Sequence, residues 1–86
     1  MLFTTDTEAT DCYQHVLVAR PENTDLTYYV VRYTGEDAAR CVVADQTQKH
    51  VAGSHIKYSK NCASVPDAKV AAAQWHNAHE AVKPTL

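Results

Sequence analysis

The sequence predicts an α+β fold, an antiparallel sheet of three or four strands with one C-terminal amphipathic helix packed across one face. Three observations lead there. Residues 26–33, Leu-Thr-Tyr-Tyr-Val-Val-Arg-Tyr, are β-branched or aromatic almost throughout, which suits a pleated, half-buried surface. Short strand-like runs before and after them are separated by turn residues. From about Pro66 to Lys83 the apolar period changes from two to that of a helix.

The segments are taken in chain order. Residues 1–11 are rich in Thr and Asp and read as a loose lead-in. Residues 12–20, Cys-Tyr-Gln-His-Val-Leu-Val-Ala-Arg, allow two readings. As a strand, Tyr13, His15, Leu17 and Ala19 share a face, and Val16-Leu17-Val18 runs into the turn residues Pro21 to Asp25. As a helix over residues 6–19, Ala9, Cys12, Tyr13, Val16 and Leu17 form a stripe, with Thr5 and Glu8 spaced as a capping box. The abundance of Thr, Val, Cys and Tyr favours the strand. After the 26–33 strand, Thr34-Gly35-Glu36-Asp37 is a turn and residues 40–45 form the next strand. Gln46 to Lys49 is a polar connection. Residues 50–58 hold a further strand, strongest at His55-Ile56-Lys57-Tyr58, and Gly53-Ser54 suggests a bulge.

Ser64-Val65-Pro66-Asp67 is the strongest local signal. A Ser at the N-cap accepts from the first free helical N–H groups, an Asp in the first turn complements the positive helix end, and Pro is tolerated there. The helix then lines up Ala68, Ala71, Ala72, Trp75, Ala78, His79 and Val82, until Pro84 closes it. Small residues let a helix approach a sheet closely, and Trp75 is expected to supply most of the buried area.

At 86 residues, 1–86 is a single domain. A chain this short buries only roughly 60–65% of its unfolded surface, which leaves little room for an enclosed active site. Net charge is −2 and the pI about 6.2. The eight basic residues, Arg20, Arg32, Arg40, Lys49, Lys57, Lys60, Lys69 and Lys83, are never adjacent, so no basic run advertises nucleic-acid binding. Cys12, Cys41 and Cys62 make an odd count with no secretory leader, which predicts reduced thiols and a cytoplasmic location. No apolar run approaches the ~20 residues of a membrane span.

Cys12 and His15, and His76 and His79, have ligand-like spacings, with His50, His55 and Cys62 between them. No zinc-finger spacing fits them, so no metal and no other cofactor is expected, although a small His/Cys metal-binding domain remains an alternative. Gly-x-Ser-x-Gly is absent and there are only two glycines, Gly35 and Gly53. Neither a nucleophile elbow nor a phosphate-cradling loop is present, and no enzymatic activity is expected.

With residues 6–19 helical, the order would be α-β-β-β-α. Together with Ala68-Lys69-Val70-Ala71-Ala72-Ala73 this resembles the double-stranded RNA-binding domain and its Ala-Lys-x-x-Ala-Ala helix start. That resemblance implies a duplex RNA partner. It departs just before the motif, where Val65 and Pro66 stand in place of the family's phosphate-gripping lysines.

The main expectation is a non-enzymatic binding module that acts by protein–protein interaction or self-association, as an inhibitor or regulatory adaptor of mobile-element type. A lone helix covers one sheet face and leaves the other. Tyr28, Tyr29, Arg32 and Tyr33 are the candidate partner-binding residues, because Tyr and Arg are enriched at binding hot spots.

Overall fold

A computed structural model describes residues 1–22, 24–45 and 56–79. The element order is β1 (Thr4–Thr5), β2 (Gln14–Ala19), β3 (Leu26–Tyr33), β4 (Ala39–Asp45), β5 (Ile56–Cys62) and α1 (Val65–His79). The strands form one fully antiparallel sheet in sequence order, and α1 lies over β3, β4 and β5. This is the expected α+β architecture with a higher strand count, five among the described residues rather than three or four.

The ambiguous segment resolves as strand, and no helix precedes α1 among the described residues. Hydrogen bonding explains the choice. Asp6 Oδ1 accepts from the backbone N–H groups of Glu8 and Ala9, and Asp11 Oδ1 accepts from those of Tyr13 and Gln14. Each Asp side chain thus closes a local turn that competes with a helix. The lead-in is therefore ordered. Thr4 and Thr5 pair with Val18 and Leu17, and Asp6 N–H donates to the Val16 carbonyl. The α-β-β-β-α order behind the RNA-binding resemblance is not the order of this chain.

At the β3–β4 hairpin, Glu36 N–H donates to the Tyr33 carbonyl, and Gly35 has a φ of 86°. Gly at the third position with positive φ is the type II turn requirement. It sets the register Tyr28↔Val43, Val30↔Cys41 and Arg32↔Ala39. Paired residues share a face, so this register decides which side chains α1 covers.

That covered face carries the core: Tyr28, Val30, Cys41 and Val43 are fully buried, with Ala19 and Ala39 beside them and Ala68, Ala71 and Ala72 above. Phe3, Leu17, Tyr58 and Trp75 pack around this cluster, partly buried. Trp75 is thus a flank of the core, and the central area comes from Tyr28. Ala78 and His79, expected on the buried side, are exposed. The cap behaves as expected, with Asp67 N–H donating to Ser64 Oγ at 3.3 Å and Ala68 N–H to the Ser64 carbonyl at 3.0 Å.

Between Val43/Tyr58 and Ala44/Ile56 the register shifts, and Lys57 is the extra residue of a bulge. The bulge expected at Gly53-Ser54, the 46–49 connection, and Val82 to Pro84 lie outside the described residues. No described helix is long and apolar enough to cross a membrane.

Candidate functional site: the uncovered sheet face

The four candidate residues separate by strand alternation. Tyr28 and Arg32 point to the helix side, Tyr29 and Tyr33 to the other. Tyr28 has 0% exposure, so it contributes to the core and presents nothing to a partner. Its hydroxyl lies 2.9 Å from His76 Nδ1, and its ring meets Trp75 and His76 edge-on at centroid distances of 6.0 and 5.4 Å. Arg32 is half-buried and donates through Nη1 to the Glu36 carbonyl, bracing the hairpin turn.

The face away from α1 carries Tyr29, Val31 and Tyr33 of β3. Across from them stand Val18, Val16 and Gln14 of β2, and Val42 and Arg40 of β4. Val16 and Val18 are buried there, beside β1 and the lead-in turn, whereas Tyr29, Val31 and Val42 are half-buried. Tyr33 is 54% exposed and Ile56, opposite Ala44, 38%. The result is an apolar surface that is half-buried at Tyr29, Val31 and Val42, exposed at Tyr33 and Ile56 and bordered by Ser59 and Asn61 of β5, while Thr27 and Ala44 on the same face are fully buried.

Arg40 and Asn61 were not among the expected site residues. They face each other across β4 and β5, and the Arg40 Nε–H donates to Asn61 Oδ1 at 2.9 Å. Period-two alternation from Val42 could have placed Arg40 on one of the two faces. Only the hairpin register determines that this face is the uncovered one.

The sheet edges are guarded. β1, the edge strand on one side, is only two residues long, and where β2 runs past it the Val16 N–H donates to Thr10 Oγ1 and the Val16 carbonyl accepts from Asp6 N–H and Thr10 Oγ1. On β5 the Lys57 bulge and the charges of Lys57 and Lys60 oppose addition of another strand.

The expected ligand-like residues do not assemble. Cys12 sits in the turn before β2, His15 on the helix side of β2, Cys62 at the end of β5, and His76 and His79 on α1. Among the described residues, no three His, Cys, Asp or Glu side chains gather as a metal site would require. His50 and His55 lie outside the described residues. His76 and His79 have local partners instead: His79 Nδ1 donates to the Trp75 carbonyl at 2.9 Å, and its ring stacks on Trp75 at 4.2 Å.

Burial pushes the Cys41 thiol up to about 11, with the neighbouring Cys62 adding to the rise and Lys60 opposing it. A buried thiol that stays protonated is a poor nucleophile. At pH 8, exposed Cys12 is expected to react with an aromatic disulfide reagent first. Cys41 should react only as the fold opens, in a slow phase that urea accelerates and that a Cys41→Ala variant lacks. A rapid third thiol in the native wild type would contradict the burial.

Compared with known proteins, the chain matches no family model, no curated protein and no solved structure.

Proposed function

We propose that this domain binds another protein through the sheet face that α1 leaves uncovered. The observation that carries the reading is the neutral apolar centre of Tyr29, Val31 and Val42, half-buried and continued by exposed Tyr33 and Ile56, on the face opposite α1. Aromatic residues set in a partly desolvated patch with a polar rim are what binding hot spots are made of. The guarded edges favour docking on the face over strand addition.

The reading has a direct test. The full chain is used as bait in a native extract, and captured proteins are quantified by mass spectrometry for wild type, Tyr29→Ala and Tyr33→Ala. The expected result is a specific partner whose capture falls about tenfold or more in each variant, the scale of a hot-spot loss. Both variants should keep the wild-type circular dichroism spectrum. A partner captured equally by all three proteins would remove this face from the interface.

A further inference from the structure

Two thiols come together on the helix side of the sheet. Ala39 pairs with Cys62 and Cys41 with Lys60, so Cys41 and Cys62 stand diagonally across adjacent strands. Paired and alternate residues share a face, which puts both side chains on the side of α1. Cys41 is fully buried in the core cluster, and Cys62 packs against that cluster from its rim. The Cys62 Sγ–H donates to the Lys60 carbonyl at 3.8 Å, which turns its sulfur along β5 toward Lys60, the residue opposite Cys41. The charge of a Cys62 thiolate is felt at Cys41, second only to burial in raising that thiol, while Lys60 lowers it. Cys62 also lines an open depression of about 370 Å³ between β5 and α1, so one sulfur of the pair is reachable from solvent and the other is not. Among the described residues no third ligand joins the two thiols, as a metal site would need.

We propose that Cys41 and Cys62 are a reversible redox pair, in which Cys62 takes the oxidant and Cys41 closes a disulfide that ties the end of β5 to β4. The oxidant is hydrogen peroxide. It transfers one oxygen to the Cys62 sulfur, giving a sulfenic acid, and leaves as water. The Cys41 sulfur then attacks the Cys62 sulfur. The S–S bond forms, the S–O bond breaks, and the departing hydroxide takes the Cys41 proton to become a second water. Closure is slow, because Cys41 has to give up its proton inside the core. It proceeds because the fold holds the two sulfurs near each other. Diagonal neighbours stand about 7–8 Å apart at Cα, slightly beyond the usual disulfide span of about 4.4–6.8 Å. A strand end has to shift to close that gap, and Cys62 is the last residue of β5. A bond strained in this way is easily reduced, so two equivalents of a small thiol restore both cysteines and leave as their own disulfide. The pair lies on the helix side, apart from the face read as the binding surface.

The test treats the full chain with hydrogen peroxide at neutral pH without denaturant, in a Cys12→Ser background that removes the exposed thiol. Remaining thiols are then alkylated in urea, and the products are read by intact mass and peptide mapping. The expected product is a monomer that has lost two hydrogen atoms, with Cys41 and Cys62 linked and neither alkylated. Dithiothreitol should return both thiols. Cys41→Ala should leave a sulfenic acid at Cys62 that dimedone traps, and Cys62→Ala should leave Cys41 untouched by peroxide. The linked residue stands just before the Ser64 cap, which Asp67 and Ala68 N–H groups bond. Amide exchange at Asp67 and Ala68 should therefore slow severalfold in the oxidised monomer.

Several results would overturn the inference. Cys62 carried on to sulfinic acid while Cys41 stays a free thiol would show that the two sulfurs do not meet in the fold. A link that forms only in urea would show the same. A disulfide joining Cys62 of two chains would make Cys62 a surface thiol and nothing more. Oxidation of Cys41 at an unchanged rate in Cys62→Ala would remove Cys62 as the entry point. Faster exchange at Asp67 and Ala68 after oxidation would mean that the bond breaks the strand end rather than tying it down.

Discussion

Tyr28→Ala is expected to remove roughly 3–5 kcal/mol of folding stability, the range for deleting a large buried aromatic. Tyr28 sits at the middle of the central strand with no exposed surface. It is paired with Ala19 and Val43 on its two sides and meets Trp75 and His76 above. Truncation leaves a cavity that a sheet cannot close, because its strands are held apart by their backbone ladder. A domain of this size has on the order of 4–13 kcal/mol in total, so the variant loses a large fraction. Urea unfolding followed by Trp75 fluorescence and by circular dichroism measures the change. Tyr28→Phe keeps the ring and removes only the hydroxyl facing His76 Nδ1, and should cost about 1 kcal/mol. A loss below 1 kcal/mol for Tyr28→Ala would mean that this ring is not the centre of the core.

Ala72→Leu should be the second severe change, costing roughly 1–3 kcal/mol by overpacking. Ala68 and Ala72 are both fully buried one helical turn apart, against β-strand side chains that are themselves without exposed surface. A leucine at 72 has to push α1 away from the sheet or take a strained rotamer. For a domain of 60–100 residues each kcal/mol lowers Tm by about 4–8 °C. Ala78→Leu is the matched control, since Ala78 lies exposed on the same helix and should barely move Tm. Equal effects at 72 and 78 would show that α1 does not sit as closely as its alanine face allows.

The positions where sequence patterns and structure diverge have physical explanations. Ser64, Pro66 and Asp67 place the start of α1 within one residue, because capping is decided by groups a few bonds apart. The 26–33 strand is legible for the same reason, since its preference lies in its own residues. The 6–19 segment is not legible in this way. Its helical stripe and its strand alternation are both present, and the choice falls to Asp6 and Asp11, which close local turns, and to Thr10, which bonds the Val16 backbone held in the sheet by β3. β1 is two residues long, too short for any period to reveal.

The candidate site was half legible. Alternation splits Tyr28 and Arg32 from Tyr29 and Tyr33, but both halves look equally suited to solvent or to a core. Arg40 is a single charge at the start of a strand, with no local pattern to mark it, and Asn61 lies 21 residues away in sequence.

Fold class, the C-terminal helix with its cap and the two-faced character of the Tyr-rich strand all follow from the residues alone. Those properties come from local bonding and from side-chain periods of 2 and 3.6. The tertiary structure alone decided which face of that strand is buried. The Gly35 turn sets the β3–β4 register, and a helix can cover only one side. Tyr28 therefore became the core, while Tyr29, Tyr33 and the Arg40–Asn61 pair came to share the surface left open.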